Sequence, residues 1–363
     1  MKFKTSKEIL FGGLQIVQNV ITPKQSLPIL ANILMEVKEG KLRLVGTDLD
    51  IGISCELPVD SSELGLITVP AKRFSEIIRE LSEEEVTISS KKNNSVTIET
   101  QNCQFKILGL SAEEFPKLPE FKNKEAIKIE QALFKQLLGL TSFAVSFDES
   151  RYILNGILFK ISKNSICLVA TDGKRLAVAE KKLNQETDKE INVIVPIKTI
   201  HELNRNLKNE GDVSLVVSNN QILFDLGPVV IISRLIEGEF PDYKQVIPAA
   251  SENKMVINRQ DFLQAIRRAS LLSTPDYQAV KWELFKNKAV VSKSTPDVGE
   301  SREEVAVDYS GKELVIGFNP GYIIDVLKNL NDEKINVEIA DSDKPAVIRA
   351  SGYIYLVLPM RLN

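Results

Sequence analysis

The chain repeats itself. "ILANILMEV" at 29–37 returns as "ILNGILFKI" at 153–161, and Thr47-Asp48 returns as Thr171-Asp172, both at an offset of 124. "TVPAKRFSEIIREL" at 68–81 returns as "IVPIKTIHELNRNL" at 194–207, and "EEFPKLPEF" at 113–121 as "GEFPDYKQV" at 238–246, at offsets of 126 and 125. Four matches in order at one spacing mark a duplicated module, and that constraint comes before any reading of single residues. A third copy is fainter. "FLQAIRRASLLS" at 262–273 aligns with "FKQLLGLTSFAVS" at 134–146, and "FNPGYIIDVLKNL" at 318–330 aligns with the Val-Pro segments. It carries "KSTPDVGES" in place of Thr-Asp and closes on "YLVLPMRLN" instead of Glu-Phe-Pro. At 363 residues the chain is also too long for one ordinary core.

Each copy reads alike. A helix comes first, over 6–20, 131–146 and 259–273. Strands with β-branched or alternating patterns follow, such as "KLRLVGT" and "SICLVATD". A helix opened by proline comes next, over 70–81, 196–208 and 320–331; proline is preorganised at a helix start and loses no needed N–H there. More strands complete the copy, so each holds two helices and about eight strands. The repeated Thr-Asp sits between strands and reads as a turn, because Asp tolerates tight turns and bonds nearby backbone N–H groups. Asp172 differs from Asp48 in being followed by Gly173, Lys174 and Arg175.

Several chemistries are excluded. His201 is the only histidine, in the amphipathic pattern "IKTIHELNRNL", which leaves no Ser-His-Asp triad or HExxH site. Cys55, Cys103 and Cys167 lie far apart with no CxxC, so neither a disulfide framework nor a zinc site is implied. There is no P-loop, GxGxxG or nucleophile elbow. Asp48 and Asp50 stand at i, i+2 on an expected strand and could share a metal; the other copies lack the pair, which argues for surface charge. No apolar run approaches the ~20 residues of a membrane span, and the start has no signal-peptide pattern. A reducing cytoplasm fits.

Net charge is −3. The six expected helices nevertheless carry twelve Lys or Arg against six Asp or Glu, leaving the rest of the chain at −9. A basic helical layer on an acidic body suits a polyanion; solvated helix faces would give the same tally. No cluster of base-reading groups is evident, so such contacts would bind phosphates without reading sequence.

Seven segments, "SLPILANILMEV", "GTDLDIGI", "VPAKRF", "RYILNGILF", "ATDGKRLAV", "EGEFPDYKQVIP" and the terminal "LPMRL", stand in order along the whole chain. In them the chain resembles the bacterial sliding-clamp family, the beta subunits of DNA polymerase III. The resemblance implies an α+β fold of three repeated DNA-clamp domains, at 1–122, 123–248 and 249–363. Helices would line a ring and antiparallel sheets would lie outside. It implies a head-to-tail homodimer around duplex DNA, without catalysis, cofactor or metal. Packing geometry bears on the dimer independently. Helices ~10 Å apart give a twelve-helix ring roughly 38 Å across at the axes and about 28 Å clear. That admits a duplex roughly 20 Å wide, whereas six helices would leave about 9 Å.

The family's partner-peptide pocket carries over onto Leu154, Thr171, Gly173, Lys174, Arg175, Leu176, Pro241, Val246, Tyr322, Val357, Leu358, Pro359, Met360 and Arg361. Leu, Val and Met would make an adaptable apolar slot, Gly173 would keep its wall low, and Arg175 and Arg361 would frame it with charge. The expected occupants are peptides of the replicative polymerase alpha subunit, the clamp loader, repair polymerases and other proteins with a clamp-binding peptide. For DNA the candidates are Lys24, Lys72 and Lys198 from the resemblance, with Arg73, Arg79, Arg205 and Arg267 added from helix charge. The loop "SFDESRY" is acidic at Asp148 and Glu149, where relatives often contact DNA. For the dimer seam the resemblance points to Phe105 and Ile107 on the first domain and Leu271 and Leu272 on the third. Arg73 would face acids among Glu300, Glu303 and Glu304. Relatives tend to be basic where this chain has Asn102 and Gln104, so the seam would lean on apolar contact. A repeat scaffold that does not bind DNA and a metal-dependent hydrolase are the alternatives.

Overall fold

In the computed structural model, residues 1–21, 27–82, 84–119, 121 and 125–362 are described, with the backbone alone at 185, 186 and 188. The expected domain boundary at 122/123 and the candidate Lys24 lie outside the described residues.

The first repeat holds β1 (Lys2–Ser6), α1 (Lys7–Gln18), β2 (Asn32–Lys38), β3 (Lys41–Thr47), β4 (Ile51–Pro58), β5 (Asp60–Glu63), β6 (Gly65–Pro70), α2 (Ala71–Glu80), β7 (Glu85–Ser90), β8 (Ser95–Glu99) and β9 (Gln104–Leu108). The second holds β10 (Ile127–Glu130), α3 (Gln131–Thr141), β11 (Gly156–Thr171), β12 (Arg175–Pro196), α4 (Ile197–Asn206), β13 (Asp212–Ser218), β14 (Gln221–Asp225) and β15 (Val229–Arg234). The third holds β16 (Lys254–Asn258), α5 (Arg259–Ser270), β17 (Val280–Phe285), β18 (Lys288–Thr295), β19 (Gly299–Asp308), β20 (Leu314–Phe318), α6 (Pro320–Asn329), β21 (Lys334–Ile339), β22 (Ala346–Ala350) and β23 (Tyr353–Val357).

The helices form where the apolar spacing and caps place them. Ser6 caps α1 by accepting from the Ile9 N–H, and Leu10, Gly13, Leu14 and Val17 are its buried stripe. Asn258 accepts from the Gln260 and Asp261 N–H groups to start α5. Pro320 opens α6 behind the Asn319 cap. In the third repeat Trp282 is 2% exposed between Phe262 and Phe318, with ring centroids 4.8 and 4.5 Å away. Gly46 lets β3 approach α1, since a Cβ there would lie 2.4 Å from the Val17 carbonyl oxygen.

The chain divides into two compact units, residues 1–132 with 198–235, and residues 133–197 with 236–363. In the first unit an antiparallel sheet runs β5-β1-β7-β8-β9, and a second runs β10-β13-β14-β15-β4-β3-β2-β6. In the second unit one sheet runs β11-β12-β23-β22-β21-β16-β19-β18-β17-β20. Each of the two larger sheets therefore crosses from one repeat into the next. In the first unit β15 pairs with β4, from Val229 with Cys55 to Ser233 with Ile51. In the second unit β23 pairs with β12, from Tyr353 with Ala179 to Val357 with Arg175.

Adding 124 to both members of every pair in the first ladder gives the second ladder. The flanking bonds obey the same shift. Glu56 N–H donates to the Pro228 carbonyl at 2.8 Å and Arg234 N–H to that of Asp50 at 2.8 Å. Their counterparts are Glu180 N–H to Gly352 at 2.7 Å and Leu358 N–H to Lys174 at 2.9 Å. The module thus carries its own rule for joining the next module.

Candidate functional site

The Thr-Asp turn is built the same way twice. Asp48 Oδ1 accepts from the Asp50 and Ile51 N–H groups at 3.0 and 2.9 Å, and Thr47 Oγ1 accepts from Leu49 N–H. Asp172 Oδ1 accepts from Lys174 and Arg175 N–H at 2.8 and 3.0 Å, and Thr171 Oγ1 accepts from Gly173 N–H. Both turns need one left-handed residue, Leu49 at φ 79° and Gly173 at φ 84°. Asp48 and Asp50 consequently lie in the turn, against the expectation of a strand. Each has a cation: Lys198 for Asp48, and Arg234 at 3.7 Å for Asp50.

Arg175, expected to frame an open slot with charge, is 7% exposed. Its Nε donates to Asp172 Oδ2 at 3.0 Å, its Nη1 to Asp325 Oδ2 at 2.7 Å, and its Nη2 to the Phe143 carbonyl. The guanidinium lies 4.4 Å from the Tyr322 ring centroid. Burial by itself would lower the Arg175 pKa, but the Asp325 hydrogen bond and the two carboxylates outweigh it and hold the group charged. Arg175 therefore ties the second repeat's turn to α6 of the third, and its charge is spent there.

Around this tie the structure brings the chain at 171–176 next to that at 357–360, while Pro241 lines a separate cleft with Leu158 and Tyr243. Val357 pairs with Arg175 at the end of β23, and Leu358 and Pro359 continue from it past Lys174. Met360 N–H then bonds the Gly317 carbonyl at 2.8 Å on the edge of β20. Leu176 and Val357 are 2% exposed and belong to the core, while Leu358 is 41% and Val246 57% exposed. The apolar cluster holding Leu176 also takes in Ile153, Phe240, Tyr243 and Ile247, which brings the segments of Leu154, Pro241 and Val246 alongside. These four were missed in the sequence, although Phe240, Tyr243 and Ile247 stand inside "EGEFPDYKQVIP". Pro359, Met360 and Arg361 line a cleft of about 350 Å³ with Val315, Gly317 and Asp343.

On the helices, Lys72 and Arg73 are exposed and line a cleft of about 1090 Å³ with Phe11, Gln15 and Gln18 of α1. Among the described residues, Lys72, Arg73 and Arg267 have no acidic partner. Lys198 pairs with Asp48, Arg79 with Glu80, and Arg205 with Glu202. Asp148 of the acidic loop caps Ser150 N–H and pairs with Arg151 at 3.1 Å, so part of its charge is used locally.

The seam candidates sit on β9, on β19 and just past the end of α5. β9 ends its sheet, with Phe105 39%, Ile107 8% and Leu108 71% exposed. Leu108 was not singled out in the sequence. Leu271 is 80% exposed just past α5, and Leu272 is half-buried. The three acids expected to face Arg73 already have partners in their own unit: Glu300 with Ser294, Glu303 with Arg268, and Glu304 with Arg302 and Lys288. The Arg268 hydrogen bond holds the Glu303 carboxyl below its usual range, and the Arg302 bond does so for Glu304.

No helix is long and apolar enough to cross a membrane, among the described residues. Known proteins match throughout. Residues 1–119, 128–242 and 244–361 match the N-terminal, central and C-terminal domains of the DNA polymerase III beta subunit. A beta sliding clamp from Pseudomonas putida is 33% identical, with 100% of both chains covered, and one from Chlamydia muridarum is 30% identical with the same coverage. A crystal structure of the DNA polymerase sliding clamp from Bacillus subtilis superimposes with a TM-score of 0.96 at 33% identity, covering 100% of both chains. With three α+β clamp domains in order and full-length relatives, the chain belongs to the DNA polymerase III beta-subunit family, the beta sliding clamps.

Proposed function

We propose that two copies of this chain close head to tail around duplex DNA and serve the replicative polymerase as a processivity factor with no chemistry of their own. Three domains, 1–122, 123–248 and 249–363, make up each copy. The observation that carries the reading is the pair of ladders joining the repeats at one register. Equivalent edges for a third ladder exist in every chain. β9 is the first repeat's counterpart of β15, and its outer edge has no neighbour among the described residues. β19 is the third repeat's counterpart of β4, and of its residues only Val307 and Asp308 meet β16 on the outer side. Open antiparallel edges are templates for another chain, and a heterologous contact that closes makes a ring.

The hairpin pair Ser95 with Leu108 matches Gln221 with Arg234, so β9 maps onto β15 at an offset of 126. With β4 mapped onto β19 by two shifts of 124, the register pairs Phe105 with Ser301, Lys106 with Glu300 and Cys103 with Glu303 of the second copy. Lys106 then faces a carboxylate, as favourable cross-strand pairs do. Lys72, Arg73 and Arg267 are the cations best placed to meet phosphate, since Lys198, Arg79 and Arg205 are shared with acids. Loose phosphate contacts permit sliding, and closure, instead of affinity, prevents escape. Peptides of the polymerase alpha subunit, the clamp loader and repair polymerases dock at Leu358, Val246, Pro241 and Met360. A polymerase held there meets its primer end at high effective concentration. The cytoplasm, on the nucleoid, is the place of action.

The test is retention on DNA after loading. The protein is expected to stay on nicked circular DNA at salt that strips surface binding, and to be lost once the circle is linearised. Equal retention on both forms would remove the topological link and leave a scaffold or an ordinary DNA-binding protein.

A further inference from the structure

Lys293 is a lysine 6% exposed with no acidic partner among the described residues. Its Nζ donates to the Tyr277 carbonyl at 2.7 Å and to the Ala279 carbonyl at 2.8 Å. Two residues on, Thr295 Oγ1 donates to the Leu272 carbonyl at 2.6 Å. Both donors stand on β18 and point to one face, as alternate residues of a strand do. Between them they fix the segment 271–279 that runs from the end of α5 to β17. This segment begins with Leu271 and Leu272. Its own backbone adds Leu271, Leu272 and Ser273 N–H to the Arg268, Ala269 and Ser270 carbonyls at 3.2, 3.3 and 3.0 Å, which hold only its start, and a narrow pair, Thr274 N–H to the Tyr277 carbonyl and the reverse, at 3.2 and 3.1 Å.

Lys293 pairs with Ser301 across β18 and β19, and Ser301 is the residue that the joining rule sets opposite Phe105 of a second copy. Lys293, Ser301 and that Phe105 would form one row across three strands, with side chains on one face.

We propose that Lys293 is a positioning residue for the dimer seam: its buried ammonium holds segment 271–279 so that Leu271 and Leu272 meet the incoming Phe105. The inference rests on the seam described above. Burial lowers the Lys293 pKa, which is what a charge held in place against its own desolvation shows. A lysine kept only for packing would be replaced without loss by an apolar side chain of similar length, because a buried charge is a poor contributor to stability. The function of the site is therefore separable from fold stability.

The experiment compares Lys293→Met, Thr295→Val and Leu272→Asp in the full chain. Dimer dissociation is measured by sedimentation equilibrium, and unfolding is followed by the fluorescence of Trp282. Lys293→Met is expected to raise the dimer dissociation constant by about tenfold or more, with the thermal midpoint near that of the unaltered chain. Thr295→Val is expected to raise it severalfold, and it keeps the test open if the methionine variant does not fold. Leu272→Asp is expected to abolish the dimer. If Leu272→Asp breaks the dimer while both β18 variants associate like the unaltered chain, Lys293 has no positioning role. If Leu272→Asp leaves the dimer intact, the seam itself is misplaced. A fall in thermal midpoint with unchanged association would make Lys293 a purely structural residue.

Discussion

Leu49 and Gly173 occupy the same position of the same turn, and only one of them suits it. A non-glycine residue in the left-handed region costs roughly 1–2 kcal/mol from Cβ crowding. Leu49 bears that cost at φ 79° while 47% exposed, so its side chain recovers little by burial. Leu49→Gly should stabilise the chain by about 0.5–1 kcal/mol, the strain relieved less the added freedom of glycine when unfolded. Urea midpoints measure this directly, and a lower midpoint for the variant would mean that Leu49 has a packing partner outweighing the strain. The reason for the turn was legible in Thr47-Asp48 and Thr171-Asp172, because a short acid between strands has one economical use. The burial of Arg175 was not. A basic residue after Asp-Gly reads the same whether it faces solvent or a carboxylate 150 residues away, and Asp325 is that far along the chain.

Among the described residues, α4 is the helix whose buried stripe includes a carboxyl, Glu202, beside Thr199, Ile200 and Leu203. Burial raises the Glu202 pKa above its ordinary 4.5, and Arg205, Asn19 and His201 offset this only in part. A carboxyl with a raised folded-state pKa binds protons more readily when folded, so its effect on stability worsens as pH rises through and above the carboxylate range. Glu202→Gln should therefore raise the thermal midpoint at pH 7.5, with the gain vanishing by about pH 4, where the unfolded carboxyl is itself protonated. A lowered midpoint at pH 7.5 would show the ion pair with Arg205 to be a net contributor, and an equal gain at both pH values would show that ionisation is not the cause. At this scale most of the fold could be read in advance: apolar residues at i, i+3 and i+4 placed all six helices. Their ends were less legible. Helix α3 stops at Thr141, whose hydroxyl bonds back to the Leu137 carbonyl at 2.9 Å, although the apolar pattern continues. The strand expected at "SICLVATD" is the second half of a longer β11, with the register against β12 shifting between Ile161 and Ser165. Which strands join the repeats was hidden, because pairing partners so far apart leave no local mark.

For the whole molecule the joining rule makes a claim sharper than dimerisation. In the ladder of β4 and β15 the bonds at Glu56 with Pro228 and at Arg234 with Asp50 leave Cys55 opposite Val229 in a non-hydrogen-bonded pair. The counterpart at the seam is Cys103 opposite Glu303. Directly opposed residues of that kind bring Cβ atoms to about 4.5–5.5 Å, close to disulfide range. Glu303→Cys should thus cross-link to Cys103 of a second copy under mild oxidation, and head-to-tail symmetry should give two such bonds and a covalently closed dimer. The other thiols interfere little: burial pushes Cys55 up to about 11 and raises Cys167 also, which leaves both slow to react. Loss of the exposed Arg268 pair should cost little, as water screens such pairs. Arg302→Cys, one residue away and on the opposite face, should cross-link poorly. A Ser301→Cys link in preference to 303 would shift the register by two while keeping the seam. Failure at all three positions in a protein that still sediments as a dimer would mean that the copies meet elsewhere, and that the rule joining the modules within a chain does not extend between chains.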